Sequence, residues 1–271
     1  MCTLVLLRRP RHDWPLLVGA NRDEMVARPW KAPARHWPDR PEVFAGLDVL
    51  AGGSWLGIND YGVVAGILNR VNSLGPAAGM RSRGELVLEA LDHADAAAAA
   101  HALAALDPGA YRPFNLIVAD NRDAFWLANR GAEEGNRISI AAVPEGLHMI
   151  TARDMDDTDS PRIRHHRARF AAAPPPEPEA PPENNHDGAG DWRAWEALLA
   201  SPAPEGTDEP EAAMAIDPDN ARYPGFGTVS SALIALPSMD CPQAHAIFRF
   251  APGRPDETPF ETLKLEPSMA G

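Results

Sequence analysis

The sequence predicts an α+β protein with two antiparallel sheets packed together and covered by helices. Three observations carry this. Apolar runs of strand length stand at both ends of the chain and in its middle. Helical spacing of apolar residues is confined to separate blocks. Strands and helices come in runs, not in the strict alternation that builds a doubly wound parallel sheet. There is no internal repeat.

The elements follow in order. "CTLVLLRR" and "WPLLVGANRDE" read as two strands with a turn around His12 and Asp13. Residues 25–50, rich in Pro, Trp and Arg, read as an ordered irregular loop. "WLGINDYGVVAGILNRV" reads as two strands joined at "NDYG". In "SRGELVLEALDHA", Leu86, Val87, Ala90 and Leu91 keep helical spacing, with Ser82 as N-cap and Glu85 three residues on. "DAAAAAHALAALDPG" is a second helix, capped by Asp95 and stopped by Pro108-Gly109. Strands resume at "FNLIVADN", "AFWLANR", "RISIAA" and "LHMITAR". "SPRIRHHRARFAAA" is a helix with Pro161 in its first turn. Its adjacent His165 and His166 read as part of a solvated basic face. "PPPEPEAPPENNHDGAG", residues 174–190, is polar and Pro-rich and is expected to be a mobile insert. "DWRAWEALLA" is a short helix, and "GTVSSALIALP" and "HAIFRFAPG" are the late strands.

Composition narrows the function. The chain has 271 residues, 45% of them hydrophobic, enough for one large domain or two small ones, and is read as a single domain over 1–271. A net charge of −13 argues against nucleic acid and anionic membrane surfaces, which need a basic face. No apolar run approaches the roughly 20 residues of a membrane span. "TLVLL" is followed, not preceded, by basic residues, the wrong order for a secretory signal. Two cysteines cannot build a disulfide framework, so a reducing compartment, the cytoplasm, is expected. The nine histidines are scattered without zinc-ligand spacing, and no phosphate-binding glycine loop occurs, so neither metal nor cofactor is expected. The expected partner is a small-molecule substrate or an apolar ligand.

Chemistry concentrates near the start of the chain. Cys2 opens the first strand and "NRDE", Asn21 to Glu24, ends the second. If the strands pair as a hairpin, Arg22 and a carboxylate come beside the thiol. Removal of Met1, favoured by a small second side chain, would leave the Cys2 amine as a base for its own thiol, and Arg22 and the ammonium would both favour the thiolate. Taken singly, Cys2 also suits a plain strand position and "NRDE" a polar turn. Trp14, Trp30, Trp37 and Trp55 are either core and loop anchors or the lining of a pocket for an apolar acid. "GGSW" is either a close backbone approach or a plain turn.

"MCT", "GANRDE", "GGSWLGIN", "GVVAGILNR", "PFNLIVAD", "GTVSS" and "TPFETL" together resemble the NRDE-motif family, the transport-and-Golgi-organization type of protein, over nearly the whole chain. That family is similar to the N-terminal nucleophile hydrolases of the choloylglycine hydrolase and penicillin acylase group. The resemblance implies a four-layer αββα sandwich, with Cys2 as nucleophile, Asp23 holding the N-terminal amine, and Asn69 donating to an oxyanion. Arg22 joins them as a catalytic candidate; Asn21, Trp55 and Asn59 are the candidate substrate contacts. Ala20, Ala152 and Val229 stand where the hydrolases carry polar anchors. The expected function is hydrolysis of a non-peptide carbon–nitrogen bond in a small amide. The alternative is non-catalytic handling of a lipid-like or haem-like ligand, which the eukaryotic members of the family suggest.

Overall fold

The computed structural model describes residues 2–131, 135, 137–178 and 190–266. These divide into two compact units, neither continuous in sequence. The first comprises residues 2–28, 146–151, 155–178 and 190–265. Its antiparallel sheet has six strands in the order β10-β1-β2-β11-β12-β13. They are β1 Thr3–Arg8, β2 Leu16–Met25, β10 Gly146–Ile150, β11 Phe226–Leu236, β12 Ile247–Ala251 and β13 Glu261–Leu263. The second comprises residues 29–131, 135, 137–145, 152–154 and 266. Its seven strands run in chain order: β3 Trp30–Ala34, β4 Val43–Asp48, β5 Leu56–Asn59, β6 Val64–Asn69, β7 Phe114–Ala119, β8 Ala124–Asn129 and β9 Ile138–Ala142.

In the first unit the strand period of two decides what is buried where. Val5, Leu17 and Leu233 pack on α3 (Pro161–Ala172) and α4 (Arg193–Leu199), against Phe170 and Trp195. Those two rings meet edge to face at 5.5 Å. Helix α3 presents Arg162, Ile163, His166 and Phe170 as one buried stripe. His166 is therefore not on a solvated face: its Nε2 lies 2.8 Å from the Ala212 carbonyl. Burial, only partly offset by that bond, lowers its pKa to about 4.

This has a pH consequence. The unfolded chain, with an ordinary imidazole, binds a proton between about pH 6.5 and 4 while the folded chain does not. Stability present above pH 6.5 is thus lost as pH falls through that window, by roughly 2 kcal/mol after allowance for solvent screening. His166→Gln keeps a donor for Ala212 and removes the titration. Urea midpoints at pH 7 and pH 4.5 should fall further for the wild type than for this variant; equal falls would refute the assignment.

The second unit packs α1 (Gly84–Leu91) and α2 (Ala96–Ala104) on β4 to β9 through Leu86, Val87, Leu91, Ala99, Ala100 and Leu116. Asp95 caps α2 as expected, accepting from Ala98 N–H at 2.8 Å. Helix α1 differs from the expectation: its cap position is Arg83. Ser82 accepts from Gly84 N–H at 3.2 Å, while Glu85 turns to Arg81 Nε at 2.8 Å. Residues 25–50 are not a loop throughout, since they hold β3 and β4. Pro33 and a register shift between Lys31 and Ala34 hid β3 from a pattern reading. The Trp55 ring lies against Gly46 and leaves no room for a Cβ there, and meets Trp30 edge-on at 5.9 Å. Gly53 is equally close to the Gly84 backbone, and Ser54 N–H donates to the Gly84 carbonyl at 3.1 Å. "GGSW" is thus a close backbone approach.

Of the expected insert, Pro176 and Pro178 are buried. Glu177 and Asp191 exchange two backbone hydrogen bonds of 2.9 Å. The expectation of mobility falls mainly on residues 179–189, outside the described residues. Among the described residues no helix is long and apolar enough to cross a membrane.

Candidate active site

Strands β1 and β2 form the expected hairpin, with Thr3 opposite Asn21 and Arg8 opposite Leu16. Cys2 thereby arrives beside Arg22 and Asp23, and its S–H donates to the Asp23 backbone carbonyl at 3.6 Å. On the far side of β2 runs β11, with Thr228 opposite Asp23 and Ser230 opposite Arg22. A bulge at Val229 separates those two pairs. Alternation then sorts the motif into two faces. Thr3, Asn21, Asp23 and Thr228 point toward α3 and α4. Arg22 and Ser230 pair on the opposite face, and Cys2 immediately precedes β1 beside them.

The helix-side half is a buried polar network. Arg162 Nη1 donates to Asp23 Oδ2 at 2.8 Å and to Thr3 Oγ1 at 2.5 Å. Thr228 Oγ1 donates to Asp23 Oδ1 at 2.6 Å and accepts from Ile216 N–H at 2.8 Å. The Arg162 and Asp23 side chains are 3% and 0% exposed. Sequence reading missed Arg162, Thr228 and Thr3. The available signal was the position of Arg162 on the apolar stripe of α3, where a charge needs a buried partner.

The other candidates separate by what their polar atoms already do. Asn21 Nδ2 donates to the carbonyls of Leu199 (2.9 Å) and Met214 (2.8 Å), and its Oδ1 accepts from Ser231 Oγ at 2.6 Å. Asn59 Nδ2 donates to the carbonyls of Leu91 (2.8 Å) and His93 (2.7 Å). Its Oδ1 accepts from Tyr61 N–H (3.1 Å) and Val63 N–H (2.9 Å). Both amides are consumed in holding the chain, and Trp55 is a packing anchor over Gly46. Asn69, the half-buried last residue of β6, differs: its side-chain amide makes no hydrogen bond among the described residues. Ala20 is buried on the Cys2 face, and Ala152 is buried with its carbonyl accepting from Val71 N–H at 3.0 Å.

The expected thiolate is also corrected. Burial, then the negative charge of Asp23, pushes the Cys2 thiol up; the opposing pull of Arg22 is weaker. The resting group is a thiol, and attack by it needs a base. Arg22 is always protonated, and Asp23 is turned to Arg162 on the other face.

The family model for Transport and Golgi organisation 2 matches residues 1–237. The chain belongs to that family. It is 34% identical over 150 residues to the Transport and Golgi organization protein 2 homolog of Bos taurus, an alignment covering 49% of this chain and 52% of the relative. The chain thus spans about half the length of the curated relatives it matches. Two solved structures share the fold. One is the N-acylethanolamine-hydrolyzing acid amidase ortholog of Caenorhabditis elegans, with TM-score 0.52, 11% identity, and coverage of 97% of this chain and 100% of that one. The other is a mutant conjugated bile acid hydrolase of Clostridium perfringens, with TM-score 0.53, 11% identity, and coverage of 98% and 97%. The α+β fold with two antiparallel sheets, shared with these two structures, is as the sequence predicts. In this family member the NRDE segment is β2, and it supplies both faces of the candidate site.

Proposed function

We propose that this family member is an N-terminal cysteine hydrolase that cleaves the carbon–nitrogen bond of a small non-peptide amide. The chain would work as one domain, in a reducing cytoplasm. The observation that carries the reading is the Cys2 thiol immediately before β1, donating to the Asp23 carbonyl at 3.6 Å in the hairpin that also holds Arg22. Loss of Met1 supplies the missing base, because the amine of Cys2 then lies two bonds from its own Cβ.

The amine accepts the thiol proton as Sγ bonds to the amide carbon. The carbonyl electron pair moves onto oxygen, for which the family resemblance implies Asn69 as the side-chain donor. The ammonium passes its proton to the leaving nitrogen as the carbon–nitrogen bond breaks, leaving a thioester on Cys2. Water, deprotonated by the same amine, releases the acid and restores the thiol. Asp23 acts from beneath, fixing β2 and β11 through Arg162 and Thr228. The names of the two solved structures, an amidase and a conjugated bile acid hydrolase, support amide chemistry on this fold.

Intact mass and alkylation test the reading. Purified protein should lack Met1, and iodoacetamide at limiting dose should then label Cys2 ahead of Cys241. A chain forced to keep Met1 should label Cys2 more slowly, because its thiol lacks a base. Equal labelling of Cys2 with and without Met1 would overturn the mechanism and favour ligand handling without catalysis.

A further inference from the structure

Three hydroxyls of β11 flank the NRDE strand, and two are fully employed. Thr228 binds Asp23 and Ile216, and Ser231 donates to Asn21 Oδ1 at 2.6 Å and to the Ala20 carbonyl at 3.1 Å. Ser230 is the exception. It is 1% exposed, and its Oγ makes no hydrogen bond among the described residues. A buried hydroxyl without a partner costs about 1–3 kcal/mol.

Ser230 faces Arg22 as the last pair of the unbroken ladder that begins at Leu236 and Leu16; the bulge follows at Val229 and brings Thr228 opposite Asp23 on the other face. Cross-strand neighbours lie about 5 Å apart, so Ser230 is about 5 Å from Arg22 and about 10 Å from Cys2, Cβ to Cβ. A carboxymethyl-sized group bonded to Sγ spans that distance.

We infer that Ser230 is a substrate-contacting residue, whose hydroxyl donates to a carboxylate or carbonyl oxygen carried two or three bonds from the carbon that Cys2 attacks. This rests on the nucleophile reading of Cys2.

The test uses the full chain after loss of Met1, alkylated in parallel with iodoacetate and iodoacetamide, with Cys241 as internal reference. The carboxylate-bearing probe should be favoured at Cys2 relative to Cys241. Ser230→Ala should cut that preference about fivefold, as expected for one hydrogen bond to a charged rather than neutral acceptor. The ratio at Cys241 should not move. Ser230→Thr, which restores a hydroxyl, should regain most of the preference, and a melting temperature of Ser230→Ala no lower than wild type would exclude loss of folding. An unchanged ratio in Ser230→Ala, with Cys2 still labelled first, would overturn the role of Ser230 and leave Cys2 standing. Labelling of Cys2 no faster than Cys241 by either probe would overturn both.

Discussion

Arg162→Met is expected to lower the unfolding free energy by roughly 3–5 kcal/mol, a large part of what a domain possesses. The reason is not the worth of the ion pair itself. Arg162 and Asp23 are both withdrawn from water, at 2.8 Å from each other. Removing the guanidinium leaves a buried carboxylate with the Thr228 hydroxyl but without its cation, and takes the Arg162 donor from Thr3. Adding Asp23→Asn to Arg162→Met removes the stranded charge and should recover a good part of the loss, so the two changes should be far from additive. Urea unfolding of the two single variants and the double variant measures this. A single-variant loss under about 1 kcal/mol, or strict additivity, would show that the pair is not the coupled unit the geometry describes.

That pair marks the boundary of what the sequence discloses. Strands with clear apolar runs, such as "LLVGANRDE" and "SSALIALP", declare themselves, and so does Asp95 as a cap, because each signal is local. The β1–β2 hairpin follows for the same reason and brings Cys2 to Arg22. What stays hidden is cross-chain. Arg162 lies 139 residues from Asp23, and Thr228 lies 205 residues from it, so spacing along the chain cannot report either contact. Strand β3 is hidden by its proline and broken register. The direction in which the Cys2 thiol moves is hidden because adjacent charges are visible in sequence and desolvation is not: Arg22 can be read off, whereas the burial that outweighs it belongs to the packed sheet. Asn21, Asn59 and Asn69 look alike as letters; only the packed chain shows which amides are already spent.

That difference among asparagines makes the last expectation a double dissociation. Asn59→Leu should destabilise the protein by roughly 2–4 kcal/mol, because it strands the Leu91 and His93 carbonyls at the end of α1 and the Tyr61 and Val63 N–H groups in the β5–β6 turn. Its chemistry at Cys2 should survive wherever the protein remains folded. Asn69→Leu should do the reverse. Its amide makes no hydrogen bond among the described residues, so stability should change by less than about 1 kcal/mol. If that amide meets the developing oxyanion, its loss should slow acylation of Cys2 about 100- to 1000-fold. The readout is p-nitrophenolate released from p-nitrophenyl acetate by protein lacking Met1, with the acetylated Cys2 confirmed by mass. Cys2→Ala sets the background, since without Sγ no thioester forms. Wild-type acylation in Asn69→Leu would remove that residue from the mechanism, and the oxyanion would then have to be met by backbone N–H groups alone.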